Sequence, residues 1–486
     1  MYQFTAADAA KACNARIYDP AAGKLVPWDA FPDWEETGKM PLTDLCTDSR
    51  EAQTGCLFAA IPGERVDGHQ FIPAALEKGA AAVLSQRPDL AGDTPDPRVL
   101  QVENTLDALL QIAAAYRSRF LVRLAAVTGS VGKTTTKEMI WTALSCRYNT
   151  LKTQGNQNNE IGLPRTLLRL LPEHEAAVAE MGMSGLNEIR PLSLAARPCT
   201  AVLTNIGVSH LEHLGSRENI LRAKLEILEG LEPGGTLVVN RDNDLLGKWL
   251  EEQKGKDAPY QILTYGIEGE AELTAGDIRQ TPSGCSFLLG WQGREYPARL
   301  PCVGLHNISN ALAAVGAALT FGIPPEESLR ALESFVPSGM RQHLVTEGGV
   351  CYVEDCYNAS PDSMRAAFAA LAGMECPEKN GRKILVLADM LELGSIEIQA
   401  HHEAGREAAH SADMLLAYGT LAKEYISGAK EAGMENANWY PDRETLAAAL
   451  KKTLRPGDMA WFKGSRGMEL EKVLEAVRRG GEEEGR

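Results

Sequence analysis

The sequence predicts an α/β protein of three domains, and three observations indicate this fold class. The chain has 486 residues, which is enough for about three hydrophobic cores. Apolar runs of strand length alternate with helical segments between about 104 and 337, a pattern typical of a parallel sheet. The same alternation starts again at about 338. We therefore expect a small N-terminal α/β domain at 1–103, a central parallel-sheet domain at 104–337 and a C-terminal doubly wound, Rossmann-like domain at 338–486.

The composition is that of an ordinary globular protein with a formal net charge of −16. This charge argues against nucleic-acid binding, because nucleic-acid-binding proteins usually carry a basic face. The N-terminus lacks the pattern of a signal peptide, and no apolar stretch is long enough to span a bilayer. We therefore expect a cytoplasmic protein without membrane insertion. The ten cysteines include no Cys-x-x-Cys pair and are expected to be free thiols.

The N-terminal region reads as a small α/β unit. It contains strand signals at 56–61 and 80–84 on either side of a helical segment at 70–78. Ser49 and Arg50, in a short polar stretch before the first of these strands, have the chemistry to hold an anion. A solvated turn is the simpler interpretation of both residues.

The central domain carries the most informative motif, Thr-Gly-Ser-Val-Gly-Lys-Thr-Thr-Thr at 128–136. It lies between an apolar run and a helical segment, so it predicts a strand-to-helix turn. Glycines in such a turn let backbone N–H groups converge on an anion, and the helix start adds its positive dipole end. Lys133 would reach the terminal phosphates, and Thr134 would offer its hydroxyl to Mg²⁺. The residues that would surround a polyphosphate are Gly129, Ser130, Val131, Gly132, Lys133, Thr134 and Thr135. This P-loop pattern predicts an ATPase-like domain. It departs from the usual pattern at one position, because Val127 stands where the first glycine is expected. An ordinary tight strand-to-helix turn is the alternative interpretation.

Further polar motifs follow other apolar runs in this domain. Ligands of parallel sheets bind at the carboxyl ends of the strands, so these motifs are candidates for the same site. Glu180 ends one run and is well placed to hold magnesium, with a surface or capping glutamate as the alternative. His210 follows another strand, although a lone histidine is more often structural. Asn158 and Asn159 lie in an asparagine-rich loop, for which a plain polar loop is the simpler interpretation.

Two later residues of the central domain have ordinary explanations on pattern alone. Lys224 lies in a predicted helix at about 217–231, where a solvated lysine paired along the helix is the default. Asn307 precedes a helix at 311–319 and would read a base edge or cap that helix.

The C-terminal region repeats the pattern of strands that end in polar residues. The apolar run at 351–354 leads into Asp355, Tyr357 and Asn358, and later runs end similarly. The region lacks the glycine fingerprint of a dinucleotide-binding fold. We therefore expect a third domain that faces the nucleotide site.

Taken together, these motifs resemble those of the Mur ligases, the ATP-dependent amide-bond-forming enzymes of peptidoglycan precursor synthesis. The resemblance covers nearly the whole chain. It is carried by Asn-Gln-Asn-Asn-Glu-Ile-Gly-Leu-Pro at 156–164, Thr-Asn-Ile-Gly-Val-Ser-His-Leu-Glu at 204–212 and Glu-Asp-Cys-Tyr-Asn-Ala-Ser-Pro-Asp-Ser-Met at 354–364. Ala-Asp-Met-Leu-Glu-Leu-Gly at 388–394 adds to it. These motifs are most similar to the branch that joins D-Ala-D-Ala to UDP-MurNAc-tripeptide, which implies those two substrates and ATP, and a monomer.

The resemblance also implies roles for individual residues. Lys133, His210 and Lys224 would be catalytic, with Thr134 and Glu180 holding one Mg²⁺ and His210 a second. Lys224 would carry a carbamate that faces the second metal, which replaces the solvated interpretation. Asn307 would lie near the adenine, and Arg341 and Asp355 would reach the nucleotide from the third domain. The expected substrate-binding residues are Ser49, Arg50, Asn158, Asn159, Tyr357 and Asn358.

Two other classes of function remain open on sequence. One is a sibling ligase that adds a single amino acid to a UDP-muramyl dipeptide, or a ligase like folylpolyglutamate synthase. The other is a nucleotide-dependent binding or switch protein without synthetic chemistry.

Overall fold

Three β-sheets organise the computed structural model, which describes residues 1–483 except 33, 64, 94, 282–283 and 338. Each sheet is formed by strands from one third of the chain and is flanked by helices from the same third. The predicted α/β architecture with three domains is confirmed.

The first sheet has the strand order β2-β1-β6-β5-β4-β3, with β3 to β6 parallel and β1 and β2 antiparallel. Its strands are β1 (Arg16–Asp19), β2 (Lys24–Pro27), β3 (Leu45–Cys46), β4 (Leu57–Ala59), β5 (Ala82–Ser85) and β6 (Val99–Gln101). The helices are α1 (Ala6–Ala12), α2 (Trp34–Gly38), α3 (Ile72–Glu77) and α4 (Thr105–Arg117), with 3₁₀ turns at Trp28–Ala30, Gly68–Phe71 and Pro88–Leu90. The helix expected at 70–78 is thus a 3₁₀ turn followed by the shorter α3.

The second sheet has the order β15-β14-β13-β12-β11-β10-β7-β9-β8, and it is parallel from β8 to β13. Its strands are β7 (Arg123–Thr128), β8 (Thr150–Lys152), β9 (Ala176–Glu180), β10 (Thr200–Leu203), β11 (Thr236–Asn240), β12 (Gln261–Gly266), β13 (Leu273–Thr281), β14 (Gly284–Trp291) and β15 (Arg294–Leu300). The helices are α5 (Lys133–Ser145), α6 (Gly162–Leu167), α7 (Ile189–Ala196), α8 (Leu211–Leu214), α9 (Arg217–Leu225), α10 (Asp244–Gln253), α11 (Leu305–Thr320) and α12 (Pro325–Leu332). The predicted parallel sheet is confirmed.

The helix expected at 217–231 is shorter in the structure. It ends at Leu225 and continues as a 3₁₀ turn at Glu226–Gly230. The buried Glu226 carboxylate accepts hydrogen bonds from the backbone N–H groups of Asn187, Ile189 and Arg190, at 2.6, 3.1 and 3.0 Å. These bonds satisfy N–H groups at the start of α7 and tie the turn to that helix.

The third sheet has the order β16-β17-β21-β18-β19-β20, parallel except for β16 at its edge. Its strands are β16 (His343–Glu347), β17 (Val350–Asp355), β18 (Lys383–Ala388), β19 (Met414–Tyr418), β20 (Ala437–Tyr440) and β21 (Met459–Lys463). The helices are α13 (Pro361–Gly373), α14 (Glu397–Ala408), α15 (Ala422–Glu431), α16 (Arg443–Thr453) and α17 (Leu470–Glu483), with 3₁₀ turns at Gly394–Ile396 and Arg466–Met468. Separate apolar cores lie on the two faces of this sheet, as expected for a doubly wound domain.

The first two units share one hydrophobic core through α4. The hydroxyl of Tyr116 donates to the carbonyl of Leu170 and accepts from the backbone N–H of Tyr2, both at 2.7 Å. α4 thereby fixes the first sheet against the helices of the second. Among the helices of the described residues, none combines the length and the apolar character that crossing a bilayer requires.

A buried ion pair in the third unit generates a stability prediction. The Asp458 carboxylate is fully buried and accepts hydrogen bonds from Nε and Nη2 of Arg382, at 3.1 and 2.6 Å. Burial by itself raises the pKa of Asp458, but the bonds from Arg382 and backbone N–H groups bring it below the ordinary value of 3.8. The pair's contribution to stability is therefore present above that value and lost as the pH falls through the lower, folded-state pKa.

We expect Asp458→Asn to reduce the free energy of unfolding by about 2–3 kcal/mol at neutral pH, because it removes the buried carboxylate that accepts hydrogen bonds from the partly buried Arg382 guanidinium. Urea denaturation of the variant and the wild type should converge as the pH is lowered below 3.8. Glu35→Gln, which breaks the exposed pair with Lys39, is the control and should leave stability unchanged. Equal stabilities of the Asp458 variant and the wild type at neutral pH would contradict this account.

Candidate functional site

The site begins at the turn between β7 and α5, where the predicted phosphate loop lies. Gly132 has a φ of 85°, and a Cβ on Gly129 would lie 1.8 Å from Oγ1 of Thr204, so both positions require glycine. The backbone N–H of Val131 donates to Oδ1 of Asn205 at 2.8 Å, which braces the loop against the strand end of β10. The Lys133 ammonium donates to the carbonyl of Gly129 at 2.8 Å. Asn205, which sequence reasoning did not single out as a brace, is therefore part of this loop's support.

Strand register brings the predicted residues to one edge of the sheet. Val127 pairs with Glu180, and Thr128 pairs with Leu203, so the ends of β7, β9 and β10 lie side by side. This arrangement places the phosphate loop, Glu180 and the segment that leads to His210 together, as the sequence predicted.

The Glu180 carboxylate is buried beside the start of α5. Its Oε1 accepts hydrogen bonds from Oγ1 of Thr134 at 3.2 Å and from Nδ2 of Asn158 at 2.8 Å. Its Oε2 is buried without a hydrogen-bond partner among the described residues. Nζ of Lys137 lies 3.7 Å from this oxygen. The Thr134 hydroxyl beside the carboxylate fits a small, hard cation such as Mg²⁺, which takes oxygen ligands.

His210 and Lys224 lie close to Lys133 at the same sheet edge. Burial lowers the pKa of His210 to about 4, and the charges of Lys133 and Lys224 act in the same direction. Burial also lowers the pKa of Lys224 well below its ordinary value, with the charge of Lys133 as the second cause. A neutral imidazole is a competent metal ligand at neutral pH.

The solvated interpretation of Lys224 is wrong, because only 1% of the residue is exposed. The sequence pattern suggested a pair with Glu226, but that carboxylate is engaged by the start of α7. Lys224 is therefore a buried amine with a lowered pKa rather than a solvated lysine.

Asn307 belongs to a network that joins α11 to the third unit. Its Nδ2 donates to the carbonyl of Val303 at 2.7 Å and to Oε1 of Gln342 at 2.8 Å. Nε2 of Gln342 lies 2.9 Å from Nε2 of His306. Asn310 continues the network, because its Nδ2 donates to Oδ1 of Asn307 at 3.3 Å and its Oδ1 accepts from Thr136. The sequence gives no role to His306 or Gln342, because their contact joins segments that are far apart in the chain.

The third unit places its polar strand ends opposite the phosphate loop. Oδ2 of Asp355 accepts from Nζ of Lys463 at 2.9 Å, and the Arg341 guanidinium lies 4.1 Å from the ring centroid of Tyr357. Oε2 of Glu392 lies 3.0 Å from Nδ1 of His210, across the boundary between the two units. The sequence analysis gave Lys463 no role in the site. Its position at the end of β21, a parallel strand, is a sequence signal that could have identified it.

Most of the predicted residues line one cleft of about 920 Å³ between the second and third units. They are Ser130, Val131, Gly132, Lys133, Thr134, Thr135, Asn158, Asn159, Glu180, His210, Asn307, Arg341, Asp355, Tyr357 and Asn358. Gly129 and Lys224 lie behind this surface. Oδ1 of Asn159 also accepts from the backbone N–H of Gly162 at 3.0 Å, so this side chain supports the start of α6.

Ser49 and Arg50 are not among the described residues that line this cleft. Arg50 is paired with Asp48 through Nη2 and Oδ2 at 2.6 Å, and its side chain is largely exposed. Nη2 of Arg165 donates to Oγ1 of Thr47 at 3.3 Å, which brings this turn against α6. The turn therefore packs against α6 and is not among the described residues of the cleft wall.

No group of three His, Cys, Asp or Glu side chains is arranged to hold a metal ion in the part of the chain that the structure describes. The candidate ligands Thr134 and Glu180 provide one hydroxyl and one carboxylate. A cation there would need further oxygen atoms from water or from a bound phosphate, which is the usual arrangement for Mg²⁺.

Comparisons with known proteins agree with this architecture. The family models for the Mur ligase family catalytic domain, the Mur ligase middle domain and the Mur ligase glutamate ligase domain match residues 42–117, 127–318 and 340–466. The chain is 40% identical over 452 residues to the UDP-N-acetylmuramoyl-tripeptide–D-alanyl-D-alanine ligase of Bacillus subtilis, covering 92% of this chain and 94% of that protein. It is 36% identical to the ligase of the same name from Escherichia coli, over 90% of this chain and 94% of that protein.

Solved structures give the same result. MurF from Acinetobacter baumannii superposes with a TM-score of 0.85 at 32% identity, over 98% of this chain and 99% of that one. MurF from Thermotoga maritima in complex with ADP superposes with a TM-score of 0.80 at 28% identity, over 91% of this chain and 98% of that one. The chain therefore belongs to the Mur ligase family.

Proposed function

We propose that this protein joins D-Ala-D-Ala to UDP-MurNAc-tripeptide with the hydrolysis of ATP to ADP and phosphate, in the synthesis of a peptidoglycan precursor. The observation that carries this proposal is the near full-length identity to ligases named for that reaction. The cleft contributes the required chemistry, since it combines a phosphate loop with polar strand ends of the third unit. We further propose that the protein is a monomer. We also propose that it is cytoplasmic, because its proposed substrates include nucleotides.

We assign three domains to this reaction at 1–103, 104–337 and 338–486. The first would bind the UDP moiety, with Ser49 and Arg50 as contacts, the second ATP and the third the acceptor. Residues 338 and 484–486 lie outside the described residues. The shared core around α4 argues that the first two domains move together.

ATP would bind along the phosphate loop with its terminal phosphate at Lys133. The first N–H groups of α5, at 133–135, have no partner within the helix and stabilise an anion placed there, whereas those of Ser130 and Val131 donate to Asn205. The amide network of Asn307 is the proposed neighbour of the adenine, and Arg341 and Asp355 would approach the nucleotide from the third domain.

We propose Thr134 and Glu180 as holders of one Mg²⁺, and His210 and a carbamylated Lys224 as holders of a second. Bound there, the ions would neutralise the phosphate charge that builds up during transfer. The neutral amine of Lys224 would add to the carbon of CO₂ and lose a proton, giving an N-carboxylate. The lowered pKa of Lys224 supports this step, because only the unprotonated amine is nucleophilic.

The proposed mechanism has two transfers. The tripeptide's terminal carboxylate attacks the γ-phosphorus of ATP, and ADP leaves. The amine of D-Ala-D-Ala then attacks the acyl phosphate, and phosphate leaves from the tetrahedral intermediate. The Lys133 ammonium would offset the repulsion between the anionic reactants in both steps.

The third domain would exclude water from the acyl phosphate and align the incoming amine. Two contacts join it to the central domain. Glu392 lies beside His210, and Asp362 lies beside the backbone at Gly207. These contacts would close the cleft where the two domains meet. Asn158 and Asn159 on the central side, and Tyr357 and Asn358 on the third-domain side, are the proposed contacts for the substrates. Correct alignment corresponds to effective molarities of roughly 10⁵ M or more.

The purified protein should release ADP only when both UDP-MurNAc-tripeptide and D-Ala-D-Ala are supplied with ATP and Mg²⁺. Mass spectrometry should then find the pentapeptide product. Single amino acids with a UDP-muramyl dipeptide, and glutamate with a folate, test the sibling and folylpolyglutamate-like alternatives. ADP release at an equal rate without peptide partners would overturn the proposal and favour a switch protein.

Lys224→Ala should lower turnover by roughly 10²–10³-fold, because it removes the carboxylate proposed to hold the second Mg²⁺, whose charge would offset that of the transferring phosphate. A small carboxylic acid such as acetate should restore part of the activity by replacing the lost carboxylate. Arg222→Ala is the matched control, since Arg222 is an exposed residue of the same helix. Full activity of the Lys224 variant would remove this lysine from the mechanism.

A further inference from the structure

A second buried lysine, Lys137, lies one helical turn after Lys133 and has no role in the mechanism above. It is 0% exposed, and its Nζ donates to the carbonyl of Gly155 at 3.1 Å. The same Nζ lies 3.2 Å from Oε1 of Glu138 and 3.7 Å from Oε2 of Glu180. An ammonium group is costly to bury, so a lysine in such a place needs charged partners.

Glu138 alone does not account for the charge of Lys137. Lys152 also contacts Glu138, through Oε2, so that carboxylate already has a second cation. The two lysines together balance two carboxylates, Glu138 and Glu180. The charge of Lys137 is therefore available to the second of these, Glu180.

Lys137 contacts the side of Glu180 that the other polar groups leave open. Oε1 is engaged by Thr134 and Asn158, whereas Oε2 has no hydrogen-bond partner among the described residues. A cation on the Oε2 side opposes rotation of the carboxylate away from the orientation that the Oε1 bonds set. Side chains behind a metal ligand commonly fix its orientation in this way.

The same lysine also holds the loop that precedes α6. Lys137 bonds the carbonyl of Gly155, and Asn158 in the same loop bonds Glu180 through its side chain. The backbone N–H of Gly182, which follows β9, donates to the carbonyl of Asn158 at 2.8 Å. The loop is thus connected to the Glu180 carboxylate through Lys137 and Asn158, and to the backbone that follows β9 through Gly182.

We propose that Lys137 is a positioning residue that fixes the Glu180 carboxylate and the 155–158 loop as one unit, and thereby sets the affinity for magnesium-bound nucleotide. The inference rests on the proposed role of Glu180 as a magnesium ligand. It assigns Lys137 no contact with the substrates and no part in proton transfer.

Calorimetric titration of ADP into the full-length protein, with and without Mg²⁺, tests this inference. In Lys137→Met, Mg²⁺ should strengthen ADP binding about 10–100-fold less than it does in the wild type, the usual effect of removing a group behind a metal ligand. ADP affinity without Mg²⁺ should be unchanged. The apparent KM for Mg²⁺ should rise by a similar factor while the KM for D-Ala-D-Ala stays the same, and Lys137→Arg should restore part of the effect.

Lys152→Met is the matched control, because Lys152 contacts Glu138 and not Glu180. It should leave the Mg²⁺ dependence of ADP binding unchanged. A folded Lys137→Met protein with wild-type Mg²⁺ dependence would overturn the inference. So would an equal change in the control, since that would assign the effect to Glu138.

Loss of folding in Lys137→Met would not end the test. A crystal structure of the wild type with ADP and Mg²⁺ should keep Nζ of Lys137 within ion-pair distance of Glu180, and an ammonium turned elsewhere would overturn the inference. Failure of the proposed function can be distinguished from failure of this inference. A wild type that is inactive as a ligase but shows Mg²⁺-dependent ADP binding would contradict the proposed reaction, and the role of Lys137 could still be tested by ADP titration.

Discussion

Buried positive charge at the carboxyl ends of the central sheet is the constraint on which the rest of the site depends. Lys137 is fully buried with its charge, and the charge of Lys133 adds to the burial that depresses the pKa of Lys224, the neutral amine of the site. Such charges are tolerated only where anions offset them. Glu180 and Glu138 supply part of that balance, and a bound polyphosphate would supply the rest. At the phosphate loop, the charge of Lys133 therefore favours an anionic ligand in addition to the shape of the loop.

The parallel sheet makes this concentration of charge possible. β7, β9 and β10 are neighbours in register, so their carboxyl ends deliver the phosphate loop, Glu180 and the approach to His210 to one edge. The backbone there is packed too closely for larger residues at Gly129, because Thr204 occupies the space that a Cβ would need. The glycine serves both the convergence of N–H groups and the close approach of two strand ends.

Contacts between the second and third units complete the cleft. The network of Asn307 and Gln342, and the approach of Glu392 to His210, connect residues that are far apart in the chain. The third unit's core also takes in Val303 and Val208 of the central unit, whereas the first two units share one extended hydrophobic core. This difference favours a third domain that moves relative to a rigid pair, which suits a reaction whose intermediate must be shielded from water.

The sequence by itself determined the fold class, the phosphate loop and the residues at the strand ends, because strand and helix periodicities and glycine spacing are local properties of the chain. It also carried the motifs by which the family was identified. Only the tertiary structure decided the environment of Lys224, whose helical pattern suggests solvent although its amine is buried. The same holds for the partners of Gln342 and Lys463 and for the contact of Lys137 with Glu180, because these contacts join distant segments of the chain. Burial and charge pairing are set by packing between elements, and no local pattern records them.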